Sequence, residues 1–322
     1  MKRFKEILVV APRDVDMRKP LRAAAQLATT NGARLTIFDS LTPIRLGRRA
    51  VLGDFQPEDV EELMRKARIA ELEELASEIP HVRTRVEVGV GRGFIEIIQR
   101  VQEHGHDLVI SPPDQPGGLV GLSRAATTMH LLRKSPVPVW VVRPEVPSSG
   151  DVLAAVGPFE EGEPTDLDRK LVQMASSLAV QRRGRFHLVH GWGLEGESLL
   201  RHGRIKMPSA EVDQLVREAE HLATSGVDKL LADVGIDRQD VDVHLVKGRP
   251  IDVIAKTAEK VDAGVVVLGT LARSGVTGVL MGNTAESTLG TLESSVLAVK
   301  PDGFQSPVEP VRSLLAIDAT GP

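Results

Sequence analysis

The chain has 322 residues, a net charge of −4, no Tyr and an aromatic share of 3%. Such a chain carries no global positive field to draw nucleic acid, and it is poor material for stacking bases. Cysteine is absent, which excludes disulfides and thiolate metal sites.

At roughly 100–200 residues per domain, the length fits two domains. The first residues, "MKRFKEILVVAPRD", are basic and then apolar. The apolar run over 7–12 is shorter than the core of a signal peptide, and no run approaches 18 apolar residues. The sequence is therefore read as that of a soluble cytoplasmic protein.

The apolar run Ile7–Ala11 predicts a buried strand. Leu21, Ala24, Ala25 and Ala28 recur at helical spacing, and Gly32 stops that helix. A strand over Leu35–Phe38 follows, then a long amphipathic helix over Glu58–Ile79, opened by Pro57 and stopped by Pro80. Next come a strand over Arg83–Val90, a helix over Phe94–His104 and a strand over Leu108–Ile110. A helix over Ser123–Lys134 and a last strand over Val137–Val142 complete the first half.

The same order then recurs. Strands are predicted over Val152–Val156, Phe186–Val189, Asp240–Val246, Val265–Leu268 and Val296–Val299. Helices are predicted over Asp168–Ala179 with Gly184 as stop, from Ser209 as cap to Asp233 with Gly235 as stop, and over Ile251–Val261 and Thr284–Leu292. The last third aligns without a gap at an offset of 157, which sets Gly91-Arg92 on Gly248-Arg249 and Pro144 on Pro301. An internal duplication follows. Domains are expected over 1–147 and 150–303, with a tail over 304–322 outside the repeat. Strands alternating with helices imply parallel sheets covered on both faces, with ligands at the carboxyl ends of the strands.

Two copies of βαβ, long helix, βαβαβ resemble a tandem universal stress protein. The segments "HLLRKSPVPVW", "VVVLGT", "MGNTAE" and "KPDGFQSPVE" resemble the E-type branch in particular. The resemblance covers about 300 residues. It implies two flavodoxin-like domains, each with five parallel strands ordered 3-2-1-4-5. It also implies that the two domains pair through their last strands; self-association and unidentified protein partners are further expectations.

Nucleotide-binding members of that family carry G-x-x-G, nine residues, then G-[ST], after the fourth strand. Here Gly269, Ala272, Gly282 and Asn283 stand at those positions with the same spacing. Glycines let the backbone approach an anion, and a helix beginning at Gly282-Asn283-Thr284 points free N–H groups at it. Thr284 supplies a hydroxyl one residue late, and Arg273 a positive charge. Ala272 costs about 1–2 kcal/mol if its position needs positive φ. The candidate anion or nucleotide site is thus Gly269, Ala272, Arg273, Gly282, Asn283 and Thr284, with ATP or another adenine nucleotide as ligand and no required cofactor. Against it, Ala11-Pro12 and Gly157-Pro158 stand where ATP-binding relatives place an Asp for the adenine. Asp14 is expected to cap the first helix.

In the first copy Pro112 replaces Gly269 and Ala125 replaces Gly282, so this copy is expected not to bind nucleotide in the family manner. "VGVGRGF" over Val88–Phe94 is a strand-to-helix turn rather than a dinucleotide fingerprint, and no P-loop occurs. His187 and His190 are three apart on a strand and face opposite sides; neither they nor His104 and His106 are read as metal ligands. No catalytic constellation is visible. The expectation is a non-enzymatic stress-response binding or regulatory protein. The alternative is a carrier or sensor of an amphipathic, lipid-like ligand, held by the basic and apolar segments Thr42–Phe55 and Gly191–Pro208, with the nucleotide loop as a relic; an ATPase or phosphotransferase ranks last, because no base, Walker lysine or metal-binding carboxylate stands beside the loop.

Overall fold

The structure is a computed structural model, and it describes residues 4–43, 57–114, 127–143, 149–203, 207–270 and 292–310. Its contacts divide the chain into two compact units, Trp140–Gly303, and Lys2–Val139 together with Phe304–Pro322. The division falls within a short strand, β5 (Val139–Val141).

The first unit contains β1 (Glu6–Val10), α1 (Arg18–Asn31), β2 (Arg34–Leu41), α2 (Pro57–Ser77), β3 (Thr84–Val90), α3 (Gly93–His104), β4 (Leu108–Ser111) and α4 (Thr127–Lys134). The strands run parallel in the order β3-β2-β1-β4. Ile7 of β1 lies between Leu35 of β2 and Leu108 of β4. A parallel sheet with helices on both faces buries every side chain of its central strands. Leu8, Val9, Ile37, Phe38, Val109 and Ile110 are accordingly fully buried. The helix α1 closes on Gly32 and α3 on Gly105, both left-handed. At the start of α1 the carboxylate beside the first turn is Asp16, not Asp14: it accepts the Arg18 N–H at 3.0 Å.

The tail belongs to this unit. Gln99 and Gln102 on α3 donate their side-chain amides to the carbonyls of Glu309 (3.2 Å) and Val308 (3.1 Å).

The second unit contains β6 (Val152–Ala155), α5 (Asp166–Arg182), β7 (Phe186–Trp192), α6 (Glu197–His202), α7 (Ser209–Val234), β8 (Asp242–Lys247), α8 (Pro250–Lys260), β9 (Val265–Gly269) and β10 (Ser295–Val299). Its strand order is β8-β7-β6-β9-β10, all parallel. This is the flavodoxin-like order that the family resemblance implies.

Four local details differ from expectation. Asp166, not Asp168, begins α5, and Thr165 caps it: a reciprocal capping box joins the Thr165 side chain to Asp168 N–H and the Asp168 carboxylate to Thr165 N–H. The left-handed residue ending α5 is Arg183, with φ 57°. Gly184 is glycine for a different reason, since a Cβ there would lie 2.0 Å from the Gly150 backbone. Ser209 is the first residue of α7 rather than its cap, which is Pro208. The short helix α6 stands inside a segment the sequence reads as irregular.

His106 is buried beneath α3. Its Nε2 lies 3.0 Å from Thr36 Oγ1 and its Nδ1 3.3 Å from Arg100 O. Burial holds its pKa below the ordinary 6.5, outweighing the help of the Arg100 carbonyl. Once the chain unfolds, the imidazole takes up a proton that the folded state resists. The folded-state advantage is therefore complete above pH 6.5 and is lost as pH falls through that value. Urea midpoints should drop between pH 7.5 and 5.5, and His106→Gln should make that drop shallower. An equal drop in the variant would remove His106 as a cause.

Candidate functional site

The carboxyl ends of β9 and β10 hold what is described of the expected anion site. Gly269 is the last residue of β9; Ala272, Arg273, Gly282, Asn283 and Thr284 lie outside the described residues. A Cβ on Gly269 would come within 2.9 Å of the Leu167 side chain, so this glycine lets α5 pack close to the strand end. Thr270 N–H donates to Val299 O at 3.1 Å, which ties the start of the loop to β10.

A residue that motif reading passed over is next to it. Lys300 follows β10, and its side-chain ammonium donates to Thr270 Oγ1 at 3.1 Å. Lys300 is only 4% exposed. Burial of the ammonium lowers its pKa to about 8, since the low-polarity surroundings penalise the charged form. A cation so placed favours any anion at the end of β9. The sequence signal was available: Lys300 ends the apolar run of the last strand and aligns, at the repeat offset of 157, with Arg143.

The neighbouring crevice, at the ends of β6 and β7, is filled by the chain's own groups. Gly157 has φ 85° and its bond to Pro158 is cis. Gly157 N–H donates to Asp168 Oδ1 at 2.8 Å, so the carboxylate of the capping box also holds this turn. Phe159 then stacks on His190, with ring centroids 4.4 Å apart and planes 8° apart. His190 Nδ1 lies 3.1 Å from Val156 O. Gly226 on α7 makes room for the Phe159 ring, which a Cβ would meet at 2.6 Å. His190 thus faces this rim; among the described residues no group of three or more His, Cys, Asp or Glu is arranged to hold a metal ion.

The first unit is closed by other means. Register identifies the equivalent positions: Ala11 N–H bonds Phe38 O, as Val156 N–H bonds Val189 O. Asp39 therefore stands where His190 stands in the second unit. Arg68 of α2, 4% exposed, reaches this place. It donates to Asp39 Oδ2 at 2.7 Å, to Ala11 O at 2.5 Å and to Glu71 Oε2 at 2.5 Å. Arg13 pairs with the same Glu71 at 3.1 Å. Burial of the Asp39–Arg68 pair costs desolvation, which its several hydrogen bonds offset.

The helix α4, which follows the degenerate loop, also has an occupant. Asp114 accepts the N–H groups of Thr128 (3.0 Å) and Met129 (3.2 Å). A carboxylate of the chain thus sits at the positive end of this helix, the place an external anion would take. Burial raises the Asp114 pKa, and the two N–H groups oppose that rise. The Thr128 and Ser111 hydroxyls both donate to Pro112 O at 3.0 Å, which holds the proline turn against the helix.

Two cavities lie at the opposite, amino edges of the sheets. One of about 480 Å³ is lined by Glu6, Arg34, Arg83, Arg85 and His104 among others. The other, of about 470 Å³, is lined by Arg185, Phe186, Ile236, Gln239 and Asp242 among others. The walls of the first are mostly charged, whereas the second sets Arg185, Asp240 and Asp242 beside the apolar Val180, Phe186, Ile236 and Val241.

The described residues thus define an α/β protein with two flavodoxin-like units in tandem. The sequence profile of the Universal stress protein family matches residues 3–143 and 162–300, and the chain belongs to that family. It is of the tandem E type: it is 31% identical over 318 residues to Universal stress protein E of Escherichia coli K12, covering 96% of this chain and 98% of that one. The Photorhabdus laumondii protein of the same name is 28% identical over 318 residues, with 96% and 99% covered. Among solved structures, a functionally unknown protein of Pseudomonas aeruginosa PAO1 superposes with a TM-score of 0.69 at 25% identity, covering 94% of each chain. A putative universal stress protein of Pseudomonas aeruginosa UCBPP-PA14 gives 0.68 at 25% identity, with 94% and 95% covered.

Replacing Arg68 by Met should strand the Asp39 carboxylate in the interior and cost about 3–5 kcal/mol. Adding Asp39→Asn should recover a good part of that loss. A denaturation double-mutant cycle measures it, and additive losses would mean that the two side chains do not act as a pair.

Proposed function

We propose that this chain is a non-enzymatic stress-response binding protein with one working anion site per chain, in the second domain. The domains meant are the expected ones, 1–147 and 150–303, with the tail after them. The observation that carries the reading is the difference between the two strand-four loops. In the first unit the start of α4 already holds a carboxylate, Asp114. In the second, a buried cation, Lys300, sits at the loop's beginning.

The ligand class is a phosphate-bearing molecule, of which ATP or another adenine nucleotide is the example the family suggests. Gly269, Ala272, Arg273, Gly282, Asn283 and Thr284 are the proposed contacts for the phosphates, together with Lys300. The base is proposed to gain little, because Phe159 and His190 occupy the rim of β6 and β7. Binding is thus expected to discriminate weakly among nucleobases and strongly by phosphate number. No step of bond making is assigned. The amphipathic carrier is disfavoured at the first amino-edge cavity by its charged walls. Pairing of the domains through their last strands, and a cytoplasmic setting, remain part of this reading.

Titration with ATP, ADP and AMP by calorimetry tests it. One site per chain is expected, with affinity falling as phosphates are removed and changing little between adenine and guanine. Gly282→Trp, which fills the cradle, should abolish the heat. Lys300→Met should weaken binding about tenfold, the size of one charge-assisted contact. Full binding by the Gly282→Trp variant would sink the assignment.

A further inference from the structure

The second unit carries a cluster of titratable groups that the phosphate reading does not use. It lies at the amino edge of the sheet, on three adjacent strands. His187, on β7, is 2% exposed and has a partner at each ring nitrogen. Its Nε2 lies 3.4 Å from Asp151 Oδ2, at the start of β6. Its Nδ1 lies 3.4 Å from His244 Nε2 and 3.4 Å from Asp242 Oδ2, both on β8. Arg185 pairs with Asp151 at 2.9 Å and stands 3.9 Å from Asp242. Lys260, at the end of α8, also acts on His244. With both imidazoles uncharged, these groups balance: Arg185 and Lys260 against Asp151 and Asp242.

We propose that the His187–His244 pair is a proton-responsive clasp that holds β8 to the sheet at neutral pH and releases it on acidification. The imidazoles add a side-chain bridge at the amino ends of β7 and β8, and β8 is the edge strand of its unit with β7 as its one neighbour. A first proton is accommodated, because imidazolium His187 donates to a carboxylate on one side and to His244 on the other. A second proton places two cations at the 3.4 Å contact between β7 and β8. Like charges so close resist joint protonation, so the pair titrates in two separated steps. The direction of the His244 shift agrees: burial first, then His187 and Lys260, disfavour its charged form, and Asp242 alone opposes them.

The sign follows. In the released strand His244 titrates near its ordinary 6.5; in the clasped state burial and the neighbouring His187 and Lys260 hold its pKa below that. The clasp is fully effective above pH 6.5 and loosens as pH falls below it. Opening of β8 should rise about tenfold by pH 5.5, which is the proton uptake of one group with that pKa.

Amide hydrogen exchange of the full chain at pH 7.5 and 5.5, corrected for the intrinsic exchange rate, reads this directly. Protection of the β8 amides should fall about tenfold relative to those of β6 in the wild type, and less than about twofold in His244→Gln. An unchanged β8-to-β6 ratio in the wild type, or the same tenfold fall in the variant, overturns the proposal. Should the variant lose protection throughout β6 and β7 at pH 7.5, the imidazole proton resonances of the wild type decide instead. Two steps separated by more than about one pH unit support the clasp, and two independent titrations near 6.5 refute it.

Discussion

A parallel sheet covered on both faces leaves its functional opportunities at the strand ends. Side chains along the strands are committed to the core, whereas carbonyls and N–H groups at the carboxyl rim must find partners outside the ladder. Everything distinctive in this chain follows from how that rim is satisfied. In the first unit Arg68 covers the Ala11 carbonyl and Asp114 takes two helix N–H groups. In the second, Asp168 takes the Gly157 N–H, His190 meets the Val156 carbonyl, and Lys300 reaches Thr270. The chain's own groups thus fill these positions in both units.

The duplication makes the divergence readable position by position. Asp39 and His190 occupy equivalent places one residue beyond the Phe38 and Val189 carbonyls. A carboxylate there needs a cation and obtains it from α2. An imidazole there needs a flat apolar face and obtains it from Phe159, seated over Gly226. Each copy has thus solved the same vacancy with a different chemistry. The two solutions recruit the long helix in both cases, once through a side chain and once through the lack of one.

The strands and most helices were legible in the sequence because buried parallel strands are short apolar runs and their helices have strong caps. Gly32, Gly105 and Gly235 end helices in the left-handed conformation as glycine usually does. Arg183 does so against its residue type, and that is where the reading slipped by one position. The short helix α6 was invisible because none of its residues is buried, so no apolar period marks it. The candidate site was legible only as glycine spacing. Contacts between residues far apart in sequence, such as Arg68 with Ala11 and Asp39, or Lys300 with Thr270, depend on register and helix placement that no local pattern encodes. The His187 cluster was equally hidden: the sequence showed correctly that His187 and His190 point to opposite faces, but not that β8 would bring His244 and Asp242 to one of them.

The hydrogen bonds from Gln99 and Gln102 to Glu309 and Val308 have a consequence for synthesis on the ribosome. The compact unit that begins at Lys2 includes the stretch from Phe304 onward. Its described strands end at Ser111, yet the carbonyls that Gln99 and Gln102 hold lie 210 and 206 residues further along the chain. The intervening unit is contiguous and can be finished first. The earlier-translated part of this unit is therefore completed only after the intervening unit has been made, and until then its helix α3 carries two side-chain amides uncommitted.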